Sequence, residues 1–321
     1  ETSATSRIRN VRVGDQYSGY AYYGDAGQNS NPRFFAINLA TGAETALGDA
    51  GTLTGTGSYG LWTVVERGGY LYVQTTDNGI LVYAMTSATT LGPLYTTYTR
   101  EQLEQWTGYA GQFWGFDVAP NGRKLVLAAD KGTVFEVGEI LPLKVRNTIQ
   151  LAADLQISPN TMYNPRYFDD QVYVVQINTP AFGRYPAGSS TPPLAVDNSN
   201  PAWKHRMLAP FRGGNASVYL LGSSGANGNT TFFCRYDADG SNRQDAEVPG
   251  GETAAASFDW VDENTIIYTT YTPSAGRRRL SLAHIVAEPF SVTADTRWNA
   301  NGYVETSATS RIRNVRVGDQ Y

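Results

Sequence analysis

The sequence predicts an all-β protein built from stacked antiparallel sheets, and three observations predict it. Apolar residues alternate with polar ones in short runs along the whole 321-residue chain, at the two-residue period of a pleated strand. Helical periodicity is confined to one stretch. The most apolar run of each group begins at Tyr20, Tyr70, Leu125, Val172, Val218 and Ile266, at steps of 50, 55, 47, 46 and 48 residues. A unit of that length holds about four strands and cannot cover both faces of its own sheet. Six such units stacked around an axis cover one another. The expected architecture is therefore a six-bladed β-propeller of four-stranded antiparallel blades, one domain over residues 1–321.

Strands read in order as YAYYG (20–24), RFFAINL (33–39), LWTVVE (61–66), YLYVQTT (70–76), ILVYAMT (80–86), FWGFDVA (113–119), KLVLAAD (124–130) and TVFEVG (133–138). They continue as QVYVVQI (171–177), SVYLLG (217–222), TTFFCRY (230–236), TIIYTTY (265–271) and RLSLAHI (279–285). ATG at 40–42, RGG at 67–69, DNG at 77–79, PNG at 120–122 and DADG at 237–240 supply the turns. The third unit serves as a template: FWGFDVA, KLVLAAD, TVFEVG and then LKVRNTI (143–149). The single helix is predicted within TYTREQLEQWTGYAG (97–111), capped by Thr99 with Gln102 three residues on and stopped by Gly108 or Gly111. Residues 178–203, rich in Pro, Gly and Ser, read as a long surface loop in or after the fourth unit.

The ends of the chain carry the same seventeen residues. ETSATSRIRNVRVGDQY occupies 1–17 and recurs without a change at 305–321. RIRNVRV (7–13) alternates as a strand and leads through GDQYSG into YAYYG. Continuing past Tyr321 into Ser18 would complete a circle of 304 residues, so the repeated segment falls where the ends of a ring meet. The N-terminal copy, tethered to its neighbour strand, is expected to fill the slot. The second copy is a scar, part of a tandem array, or a strand that enters the same slot of another molecule.

Composition excludes several classes. A net charge of −4 offers no basic field to phosphate, so no nucleic-acid partner is expected. One cysteine, Cys234, rules out an internal disulfide framework and a multi-cysteine metal site. No apolar run is long enough for a membrane-spanning helix. A start without Met fits either a trimmed chain or a mature exported one; scarce lysine with abundant Gly, Thr, Asn and Tyr points to export: secreted, periplasmic or on the cell surface.

At residues 230–248, TTFFCRYDADGSNRQDAEV resembles the TolB-type, WD40-like propeller repeat, with its aromatic strand followed by D-x-D-G-x-N at Asp237, Asp239, Gly240 and Asn242. FDVAPNGRKLVLAAD (116–130) resembles the first half of that repeat, and FFAINLATGAETALG (34–48) the hairpins of exported bacterial propellers. The resemblance implies a six-bladed propeller and carries no catalytic site with it.

Candidate chemistry is sparse. Asp237-Ala-Asp239-Gly240-Ser241 begins like a calcium loop, but the twelfth position is Val248, so a hairpin turn is expected and no metal. His205 and His284 lie on different strands without metal-ligand spacing, and His284 is in phase with Leu280 and Leu282, facing a packed side. No cofactor is expected. Gly222-Ser223-Ser224-Gly225 misses the spacing of a nucleophile elbow. Trp62, Trp114 and Trp260 each open a unit, and Phe168 occupies a similar place. At the mouth of a central channel they could stack on sugar rings, with Asp117, Arg166 and Asp259 supplying hydrogen bonds; packing between blades is the alternative for such rings. The leading expectation is a non-catalytic, exported or cell-surface propeller that binds a glycan or protein at its funnel mouth. One alternative is a fibre subunit that self-associates through 305–321. The other is a hydrolase or lyase using Asp117, Asp169, Asp170 and Asp259.

Overall fold

The computed structural model describes residues 7–13, 15–26, 33–49, 61–75, 79–111, 113–129, 134–139, 147–152, 162–168, 171–176, 182–186, 194–196, 203–210, 218–224, 230–237, 241–249, 257–272, 277–298 and 303–305. Among them the strands form six antiparallel sheets, each taken in sequence order. The first sheet is β1 (Arg7–Val13), β2 (Tyr20–Ala26), β3 (Arg33–Asn38) and β4 (Glu44–Asp49). The second is β5 (Leu61–Arg67), β6 (Tyr70–Thr75), β7 (Gly79–Ser87) and β8 (Thr90–Tyr98). The third is β9 (Phe113–Val118), β10 (Lys124–Ala129), β11 (Val134–Gly138) and β12 (Asn147–Ala152). The fourth is β13 (Met162–Phe168), β14 (Gln171–Gln176), β15 (Phe182–Pro186) and β16 (Leu194–Val196). The fifth is β17 (Trp203–Pro210), β18 (Val218–Ser224), β19 (Thr230–Tyr236) and β20 (Gln244–Glu247). The sixth holds β21 (Ser257–Trp260), β22 (Thr265–Thr272), β23 (Arg277–Ala287) and β24 (Phe290–Asp295), and β25 (Tyr303–Glu305) pairs with the first half of β23.

The second strand of each sheet is the apolar run that set the repeat. β10 is buried from Leu125 onward because it is flanked by β9 and β11 and covered on both faces. Turn glycines have the positive φ expected: Gly122 at 68° and Gly79 at 71°. At Gly79 a Cβ would run into the Tyr98 carbonyl, so no other residue fits where β7 starts beside the end of β8.

Apolar faces pack sheet on sheet. Tyr22, Phe34 and Ala36 of the first sheet join Val64, Leu71, Val73 and Leu81 of the second. Val65, Ile80 and Val82 of the second join Phe116, Leu125 and Leu127 of the third. Phe233 and Val248 beside the fifth sheet join Phe258, Ile266 and Tyr268 of the sixth. Ile267, Leu280 and Leu282 of the sixth sheet pack with Ala21, Tyr23, Phe35 and Ile37 of the first. There the Tyr23 and Phe35 rings stack across neighbouring strands at 5.2 Å, and the Trp298 indole N–H donates to the Leu39 carbonyl at 2.7 Å.

The helix α1 (Arg100–Thr107) forms as its sequence dictates. Thr99 accepts from the Gln102 amide, Gln102 returns a side-chain acceptor to the Thr99 amide, and Gly108 ends it in the left-handed conformation. Leu103 is its buried anchor in the packing between the second and third sheets.

Two readings need correction, and a third is met in part. Residues 178–203 are not one loop: β15 and β16 lie within them and complete the fourth sheet. Short strands broken by Gly183 and Pro186 show too little alternation to be read. The fourth strand of the third sheet is described over Asn147–Ala152, which takes in 147–149 of the expected strand; 143–146 lie outside the described residues. His284 is half-exposed, because β23 passes beyond the packed face there, and its Nε2 lies 3.2 Å from Asp295 Oδ2.

Candidate functional site

The first strands of the six sheets gather together. β1 lies beside β5, β5 beside β9, β9 beside β13, β13 beside β17, β17 beside β21, and β21 beside β1. What these strands project decides what the centre of the molecule can do.

Their second halves project charge that is deeply buried. Arg12 of β1 is fully buried, and its Nη1 donates to Asp117 Oδ1 of β9 at 2.5 Å while Nη2 donates to the Phe116 carbonyl at 2.6 Å. The contact joins the first sheet to the third, 105 residues apart. Asp117 also accepts from the Tyr167 amide of β13 at 2.9 Å and from the Val118 amide at 2.8 Å. Arg67 of β5 donates through Nε to the Val118 carbonyl at 3.1 Å and brings a second guanidinium nitrogen to 4.0 Å from Asp117. On the far side, Arg166 of β13 lies 3.7 Å from Asp259 of β21. One carboxylate therefore ties the first, second, third and fourth sheets, and a second ion pair ties the fourth to the sixth. The Tyr167 hydroxyl donates to Glu136 at 2.8 Å; burial and then the Glu136 charge push that phenol well above its ordinary range.

Glu66 is buried at the end of β5. Its Oε1 accepts from the Gly69 amide at 2.7 Å, and burial raises its carboxyl above the ordinary value against that hydrogen bond.

The first halves of five of these strands carry β-bulges. In β1 the register skips Asn10, in β5 Trp62, in β9 Trp114, in β13 Asn164 and Pro165, and in β17 Arg206. Each falls within the first four residues of its strand. A bulge breaks the two-residue alternation and re-aims the chain locally, and bulges concentrate at rims and beside sites.

The seven residues predicted for a ligand site thus divide. Asp117, Arg166 and Asp259 are brought together at the centre and engaged with one another's sheets. Trp62 and Trp114 occupy equivalent bulge positions in neighbouring first strands; their side chains and that of Phe168 lie outside the described residues. Trp260 is partly buried against the Phe233 and Phe258 cluster, with its amide donating to Asp259. Asp169, Asp170 and the His205 side chain lie outside the described residues. Asp237 is a turn residue, accepting from the Asn242 side chain at 2.6 Å, and no cluster of metal ligands occurs among the described residues. Ser223 and Ser224 lie in the ladder of β18. Sequence reasoning missed Arg12, Arg67 and the Glu136–Tyr167 pair, since nothing in a strand's alternation marks which polar residue will meet a charge a hundred positions away.

The fold is that of the β-propellers. A chain of a mitotic checkpoint complex is similar at 14% identity and TM-score 0.57, over 98% of this chain and 86% of that one. The β-propeller domain of Cps50 (Swd1) from Myceliophteria thermophila is similar at 10% identity and TM-score 0.54, over 87% and 84%. An oligogalacturonate lyase in complex with manganese is similar at 10% identity and TM-score 0.50, over 87% and 76%. No protein-family model and no curated protein matches the sequence. No helix among the described residues is long and apolar enough to cross a membrane.

Proposed function

We propose that the chain is a six-bladed propeller of TolB-like repeats, closed through the contact of its sixth sheet with its first, acting as a non-catalytic, exported or cell-surface domain that binds a glycan or protein partner. In this reading 1–321 is one domain. The observation that carries it is the division of the first strands. Their second halves commit Asp117 and Asp259 to buried pairs, which makes those carboxylates struts rather than acids, bases or ligands. Their first halves carry Asn10, Trp62, Trp114, Asn164 and Arg206 at the bulges of five first strands. Two indoles for stacking, with amides and a guanidinium to bond hydroxyls, are the residue types that bind a sugar or a polar peptide.

The test is a glycan array together with capture of protein partners. Binding that is lost in Trp62→Ala or Trp114→Ala while circular dichroism stays unchanged supports the reading. Turnover of an offered glycan, abolished in folded Asp117→Asn, overturns it in favour of a hydrolase or lyase.

A further inference from the structure

We propose that the place of β1 is an acceptor site for a peptide strand, and that the chain's own second copy of the segment, 305–321, can occupy it in place of the first. This rests on the closed-ring reading above.

The contacts that seat β1 lie within the duplicated seventeen residues. Arg12 meets Asp117 and the Phe116 carbonyl. Asp15 accepts from the Gly68 amide at 3.2 Å, Gln16 lies against Gly69, and Tyr17 packs on the cluster between the first and second sheets. The second copy carries the same groups as Arg316, Asp319, Gln320 and Tyr321. In sequence it follows the last strand of the sixth sheet, as every other first strand follows the last strand of the sheet before it. The last strand of each sheet leads to the first strand of the next through linkers of 11, 14, 9, 6 and 9 residues. From Glu305, at the end of β25, to Arg311, the counterpart of Arg7, five residues intervene. β21 of the sixth sheet already lies beside β1. Two identical segments, both joined to the molecule, thus compete for one slot. A neighbour's copy offers the same contacts but must give up translational freedom to make them, so the chain's own copy is the favoured occupant.

The experiment compares Arg12→Ala, Arg316→Ala and the double variant in the full chain, by thermal unfolding. Interchange predicts that each single change keeps Tm within about 2 °C of the parent, because the other copy supplies the arginine. The double variant leaves Asp117 without either arginine and falls by about 5–10 °C. If Arg12→Ala alone falls as far as the double variant, the second copy does not enter the slot and the inference is wrong. Asp117→Ala separates this failure from that of the ring: an unchanged Tm there would mean that the centre is not built as described. Light scattering on Arg12→Ala should give a monomer mass. A dimer growing with concentration would show a neighbour's strand in the slot and overturn the choice of occupant.

Discussion

The wedges between sheets and the centre where the first strands meet are held by opposite kinds of force. A wedge such as that between the sixth and first sheets is apolar, shared among Tyr23, Phe35, Ile267 and Leu282, and no single residue is indispensable to it. The centre is a small set of charges whose worth depends on every partner being present. Asp117 takes Arg12 from one sheet and a backbone amide from another, and losing one partner strands a buried charge. The difference teaches that the wedges give the fold its stability, while the centre fixes which strand stands opposite which.

Substitutions can break this contrast, beginning with the largest effect. Asp117→Ala leaves Arg12 buried beside a hole and should cost about 3–5 kcal/mol in denaturant unfolding. Salt should change that loss little, because the pair is shielded from water. Leu282→Ala opens a cavity in the wedge and should cost about 2–5 kcal/mol, at the upper end only if the neighbouring rings fail to close in. A loss at Leu282 clearly above that at Asp117 would reverse the ranking. Thr99→Ala removes the cap of α1 for about 1 kcal/mol, and hydrogen exchange should show the effect confined to residues 100–108.

Two acids sharpen the comparison through pH. Glu66 has a raised folded value, so its protonated form suits the fold; the stability it contributes is present in acid and lost as pH rises through that value. Glu66→Gln should therefore stabilise the protein at pH 7 and lose that advantage below pH about 4. At Asp295 burial works to raise the carboxyl, but hydrogen bonds from Arg297 and the charges of Arg297 and His284 outweigh it and hold it low. Its contribution is present above the ordinary carboxyl range and fades as pH falls through the lowered value. Asp295→Asn should lower stability at pH 7, and that loss should shrink as pH falls through the lowered value, where the parent gives up the same contribution.

The wedges were legible because burial imposes a period. Tyr20, Tyr70 and Leu125 each open a strand that both neighbours flank, and such strands announce themselves by continuous apolar character. The helix was legible because Thr99, Gln102 and Gly108 act locally. β15 and β16 were not, since strands of five and three residues, the first with Gly183 and Pro186 in it, are too short to show a period. For Asp117, Arg166 and Asp259 the sequence marked first strands, yet their partners are set only when distant sheets meet. Trp62 and Trp114 stood out as residue types; the bulges that set them apart are a property of pairing and leave no trace in composition.

The proposed ring closes only if the sixth sheet stands against the first. The most direct measurement is an NMR spectrum of protein labelled at the tryptophan indole nitrogens. The Trp298 indole proton should exchange slowly and show nuclear Overhauser contacts to the backbone protons of residues 39–40, 259 positions away in sequence. Rapid exchange with no such contacts would contradict the closure.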